Sequence, residues 1–109
     1  CYTGTHDNTT AAGWSEHISK EDAAFAKAYL GLHEQEGAAF GPIRGGMSSV
    51  ASLFMMQMQD CLNLPDDCRM NLPGTMEGNW RWRCLKEEIS DELADKLRYY
   101  TYIYGRTRG

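Results

Sequence analysis

Four consecutive polar residues, Thr5-His6-Asp7-Asn8, follow a short apolar segment that ends at Gly4. A carboxylate just past the end of a strand can accept hydrogen bonds from sugar hydroxyls. It can also stabilise positive charge developing at an anomeric carbon. His6 beside it supplies a donor for another hydroxyl. The same residues also fit an Asx-type turn, with Asp7 and Asn8 bonding local backbone. A second constellation runs Arg69-Met70-Asn71-Leu72-Pro73-Gly74-Thr75 and then Gly78-Asn79-Trp80-Arg81-Trp82-Arg83. Indoles and amides in a Gly/Pro loop suit carbohydrate, because sugar C–H faces stack on indole while amides bond hydroxyls. If extended, Trp80-Arg81-Trp82-Arg83 puts both indoles on one side and both guanidiniums on the other. Trp82 reads as an anchor to the core, and Trp80 fits either an anchor or a sugar platform.

The other ionisable residues offer less. Glu16, Glu21, Asp22, Glu34, Glu36, Glu87, Glu88 and Asp95 read as solvated faces, and His17 and His33 as surface residues. Asp60 and Arg69 are expected to pair and tie the second loop down. Arg98, Arg106 and Arg108 read as a solvated tail. Cys1, Cys61, Cys68 and Cys84 include no C-x-x-C pair, so no zinc knuckle is expected and no metal site is assigned; abundant apolar residues can build a core, so no disulfide scaffold is expected either. Reduced thiols in the cytoplasm are the expectation. A net charge of −4 gives no basic footprint for nucleic acid. No apolar run reaches the roughly 18 residues of a membrane span, so no membrane partner is expected.

Elements must carry these groups to their places. Cys1–Thr3 reads as the tail of a strand. Ser19 caps a helix whose first turn is acidic and whose Phe25, Ala28, Tyr29 and Leu32 share a face. Pro42 opens a short helix through Arg44 to Met47, shortened or kinked by its paired glycines. The apolar run Ala51–Met56 reads as a strand covered on both faces. Gln59–Leu64 fits one helical turn, and Pro65–Arg83 a long loop of the kind that is usually functional or disordered. Ser90, Asp91 and Glu92 start a last helix with Leu93, Leu97, Tyr100 and Tyr104 as its stripe and Gly105 just past its end. Strands feeding polar loops and alternating with helices are the rhythm of β/α barrel units.

Taken in order, these blocks resemble the late-barrel motifs of the 4-α-glucanotransferases (amylomaltases, or disproportionating enzymes; glycoside hydrolase family 77). The match runs through Tyr2–Asn8, Gly13-Trp14, Gln59-Asp60, Arg69–Asn71, Pro73–Thr75, Gly78–Arg83 and Tyr104-Gly105-Arg106. The chain departs from the pattern at Asn8-Thr9, where a further residue commonly intervenes, at Gln57, where proline is usual, and at Cys68, where alanine is common. The resemblance implies an α/β fold: the C-terminal fragment of a (β/α)8 TIM barrel, about its last two β/α units, mostly helical with two short strands. Residues 1–109 would then form one partial domain of a larger enzyme. The implied activity is retaining transfer of α-1,4-glucan segments between maltooligosaccharides, without cofactor or metal. Asp7 corresponds to the transition-state stabiliser and His6 to the sugar-binding histidine beside it. Asn71 lies in the loop near bound glucan, and Trp80, a candidate platform for a sugar face, joins the substrate-binding set. The nucleophile and the acid/base belong to earlier strands and match nothing in this chain. The isolated piece is therefore expected to be inactive, to pair with the remainder of the barrel, and to self-associate through its open edges.

Overall fold

The computed structural model describes residues 1–107 of the 109-residue chain. Five α-helices carry the fold: α1 Ala11–His17, α2 Lys20–Leu30, α3 Phe40–Ser48, α4 Met58–Cys61 and α5 Asp91–Ile103. Single 3-10 turns at Glu34–Glu36, Asp66–Cys68 and Lys86–Glu88 link them.

Local chemistry sets the helix starts. The side chains of Thr10, Ser19 and Ser90 accept from the backbone N–H three residues on and so cap α1, α2 and α5. Gly31, at φ 61°, ends α2 in the left-handed conformation. The expected helices at Ser19, Pro42 and Ser90 and the turn at Gln59 all form. The long second loop is also present, stiffened at one end by its 3-10 turn.

α3 is the centre of the core. Ala39, Phe40, Ile43 and Met47 are buried there, beside Ala11 and Ala12 of α1. The glycines that shorten α3 permit close approach. A Cβ on Gly46 would overlap the Phe54 ring, and one on Gly41 would overlap Leu32. On the other side Tyr100 of α5 packs on Phe40 with ring centroids 5.1 Å apart, and Lys96 Nζ lies 3.6 Å over the same ring.

The two expected strands are not present among the described residues. They reduce to one parallel bridge, Tyr2 with Met55. Its ladder is Met55 N–H to the Cys1 carbonyl (2.8 Å) and Thr3 N–H to the Met55 carbonyl (3.0 Å). The run Ala51–Met56 is also not covered on both faces, since Leu53 is 64% and Met55 50% exposed. Each segment has a single neighbour, and a strand needs pairing on its flanks and packing on its faces to propagate.

Two charge assignments change as well. Glu36 is not a solvated acid: its side chain is 2% exposed and accepts from Arg44 Nε at 2.5 Å. Arg44 Nη2 also donates to the Leu30 carbonyl at 2.7 Å, which joins the end of α2 to α3. The hydrogen bond to Glu36 raises the Arg44 pKa above its ordinary value, so the guanidinium stays charged. Arg106 is no tail residue. Its guanidinium donates to the carbonyls of Gly46, Met47, Ser49 and Ala51, gathering the C-terminal end of α3. Arg98 is exposed, and Arg108 lies outside the described residues.

Candidate functional site

The loop after the Tyr2 bridge closes on itself. Asn8 N–H donates to the Thr5 carbonyl (3.0 Å), and Asn8 Oδ1 accepts from Thr5 N–H (2.7 Å). The two readings of this segment therefore separate by residue. Asn8 makes the local turn, while Asp7 is left pointing outward.

Asp7 is met from the far end of the chain. Asn71 Nδ2 donates to Asp7 Oδ1 at 2.7 Å, across 64 residues of sequence. His6 Nε2 stands 3.4 Å from Asp7 Oδ2, and the two side chains are 54% and 53% exposed. The Trp80 ring lies 5.0 Å from the His6 ring at a 38° tilt. Trp80 is held at φ 61°, unusual for a residue with a side chain, and its N–H donates to the Met70 carbonyl at 2.5 Å. That conformation breaks the extended alternation expected for Trp80–Arg83. It leaves Trp80 52% exposed beside His6, whereas Trp82 is half-buried. All four expected site residues thus meet in one patch: a carboxylate with an amide donor on one oxygen and an imidazole near the other, beside an exposed indole. Such a patch can hold a polyhydroxylated ring and oppose positive charge on it.

Below the patch the wiring differs from expectation. Asp60 does not pair with Arg69. It is 1% exposed, and its Oδ1 accepts from Ala11 N–H at 2.7 Å, the first turn of α1. Arg69 instead reaches the Asp7 carbonyl (2.8 Å), the Asn71 carbonyl (2.9 Å) and Asp66 Oδ1 (3.5 Å). Asp66 Oδ1 also accepts from Thr9 Oγ1. Asp66 and Thr9 escaped the sequence reading; the i,i+3 spacing of Asp66 and Arg69 was the available signal. Asn79 braces the loop from within, accepting from Leu72 N–H at 2.9 Å.

The surroundings are open. A groove of about 520 Å³ runs along the strand-tip loop, lined by Tyr2, Thr5, Asn8, Trp14, Leu30 and Pro42. Neither Asp7 nor Trp80 lines it. No group of three or more potential metal ligands occurs among the described residues. The four cysteines are free thiols. Burial, then the charge of Asp60, pushes the Cys61 thiol up, which keeps it protonated and inert. No helix among the described residues is long and apolar enough to cross a membrane.

A family model described as 4-alpha-glucanotransferase matches residues 1–88. The chain is 47% identical over 105 residues to a 4-alpha-glucanotransferase of a Synechocystis strain, covering 96% of this chain and 21% of that protein. It is 48% identical over 106 residues to the Clostridium butyricum 4-alpha-glucanotransferase, covering 96% of this chain and 22% of the relative. The structure of amylomaltase from Streptococcus agalactiae in complex with acarbose superposes with a TM-score of 0.94 at 36% identity, over 98% of this chain and 22% of that one. The chain thus spans about a fifth of the length of the curated relatives it matches.

Proposed function

The chain belongs to the 4-alpha-glucanotransferase family, and from that premise we propose that it supplies the transition-state-stabilising part of a barrel enzyme that moves α-1,4-glucan segments between maltooligosaccharides. Asp7 is the stabilising carboxylate. As the glycosidic bond breaks, the anomeric carbon gains positive charge, and a fixed carboxylate nearby lowers the energy of that state without having to reorganise. Asn71 on Oδ1 and His6 near Oδ2 hold the carboxylate plane and leave its outer edge to the sugar. Trp80 offers an apolar face beside His6 for a pyranose ring.

The observation that carries this reading is the convergence on Asp7 of a neighbour and of a residue 64 positions away. A local turn alone has no need of Asn71. The retaining chemistry requires a nucleophile and an acid/base about 5 Å apart. We assign both to the parts of the barrel beyond this segment, which makes the remainder of that barrel its partner. The cytoplasm is the compartment we propose, with free thiols as its support.

The test is disproportionation of maltotriose by the full-length protein carrying this segment. Asp7→Asn keeps the shape and removes the charge. We expect a roughly 100- to 1000-fold fall in kcat, the range for loss of one stabilising group. A variant as active as the parent ends this assignment.

A further inference from the structure

We propose that Arg69 is a positioning residue whose guanidinium, together with Asp66, sets the spacing between the Asp7 carboxylate and the Asn71 amide. The inference rests on the role of Asp7 proposed above and deepens it. Nη2 donates to the Asp7 carbonyl at 2.8 Å and Nε to the Asn71 carbonyl at 2.9 Å, while Nη1 lies 3.5 Å from Asp66 Oδ1. A guanidinium is a rigid planar fork, so the separation of its nitrogens is fixed. One planar group therefore gauges the gap between the two backbones that carry the carboxylate and the amide. The 2.7 Å bond from Asn71 to Asp7 sits directly across that gap.

Asp66 extends the clamp. The oxygen that faces Arg69 also accepts from Thr9 Oγ1, so the strand-tip loop is gripped at Asp7 and again two residues later. The clamp lies beneath the site: the Arg69 side chain is 18% exposed, against 53% for Asp7. It can hold the carboxylate without occupying the sugar's place. An ammonium group cannot do the same, because it is a point donor on a flexible stem.

The experiment compares Arg69→Lys, Arg69→Ala and Thr9→Val in the full-length protein, with maltotriose as substrate. Arg69→Lys should lower kcat about 100-fold, the loss that follows a misplacement of roughly 1 Å. KM should change by less than about 3-fold, because the interaction lost is one made in the transition state. Thr9→Val should give a smaller loss of the same kind. Methylguanidinium should restore part of kcat to Arg69→Ala, and ethylammonium should not. In the NMR spectrum of Arg69→Lys, the Asn71 side-chain amide pair should lose its distinct shifts while the Ala11 amide keeps its own. Wild-type kcat in Arg69→Lys and Thr9→Val, with Asp7→Asn inactive, overturns the clamp alone. An active Asp7→Asn removes the reading beneath it. Equal rescue by both cations also overturns the clamp, since a fork would then be unnecessary.

Discussion

At the scale of single residues, the polar groups divide by what they are bonded to rather than by type. Asp7 and Asp60 are both aspartates on polar segments, yet one is half-exposed and the other is 1% exposed. In the interior Asp60 Oδ1 accepts from Ala11 N–H at 2.7 Å, with Gln57 Nε2 at 3.5 Å from its other oxygen. It thus ties α4 to the first turn of α1. Asp60→Ala leaves a buried N–H without an acceptor. We expect a loss of about 2–3 kcal/mol, with Asp60→Asn milder because an acceptor oxygen remains. Urea unfolding of the variants checks this. A change within about 0.5 kcal/mol, the range of ordinary surface substitutions, sets the bond aside.

At the scale of elements, two arginines close two helix ends. Arg44 takes the Leu30 and Gly31 carbonyls at the end of α2, and Arg106 takes four carbonyls at and after the end of α3. The last turn of a helix leaves its carbonyls unpaired and carries partial negative charge, so a guanidinium satisfies both needs. Arg106 also steers the chain leaving α3 toward Met55, whose bridge with Tyr2 starts the strand-tip loop. Arg106→Ala should cost about 2 kcal/mol or more, lowering the melting temperature by roughly 8 °C or more in a domain of this size. It should also speed amide exchange at Met55. An unchanged melting curve would show that water replaces the guanidinium without loss. The α2 face is a contrast: Phe25 and Tyr29 stack on each other 6.0 Å apart, yet are 71% and 79% exposed. The apolar spacing there is right for a helix, and the partner for that face is not within the described residues.

At the scale of the whole molecule, too much surface is left open. A self-contained protein of 12.3 kDa exposes about 6,100 Å², while this chain exposes 7893 Å². Its radius of gyration is 14.5 Å, against about 13 Å for a compact domain of this length. The excess of roughly 1,800 Å² is about twice the roughly 800 Å² that one partner contributes to a standard interface. Val50, Leu53 and Met55 are among the apolar groups in it, beside an unpaired strand edge. We predict that the isolated chain self-associates in sedimentation velocity runs at micromolar concentration. Glu or Lys in place of Leu53 and Met55 should shift it toward monomer. A single monomeric boundary for the unaltered chain argues against open edges as the driving force.

Four of the helices were legible because their signals are local; α1 was not, because its first turn, Ala11–Gly13, lies in a stretch rich in Asn, Thr and Gly that reads as a loop. A cap and the N–H it accepts lie three residues apart, as at Ser19 and Ser90, and a stripe such as Leu93, Leu97, Tyr100 and Tyr104 repeats with the helical turn. The four residues proposed for the site were named from ordered motifs, His6 and Asp7 early, Asn71 and Trp80 late. What joins them was not. That Asn71 reaches Asp7, that Arg69 takes the Asp7 carbonyl and leaves Asp60 to Ala11, and that Arg106 folds back on α3 are matters of chain path. Residue type names a donor and an acceptor but not which of several acceptors lies within reach. The strands failed for a related reason: an apolar run such as Ala51–Met56 announces a wish for neighbours, and only the tertiary structure says how many it has.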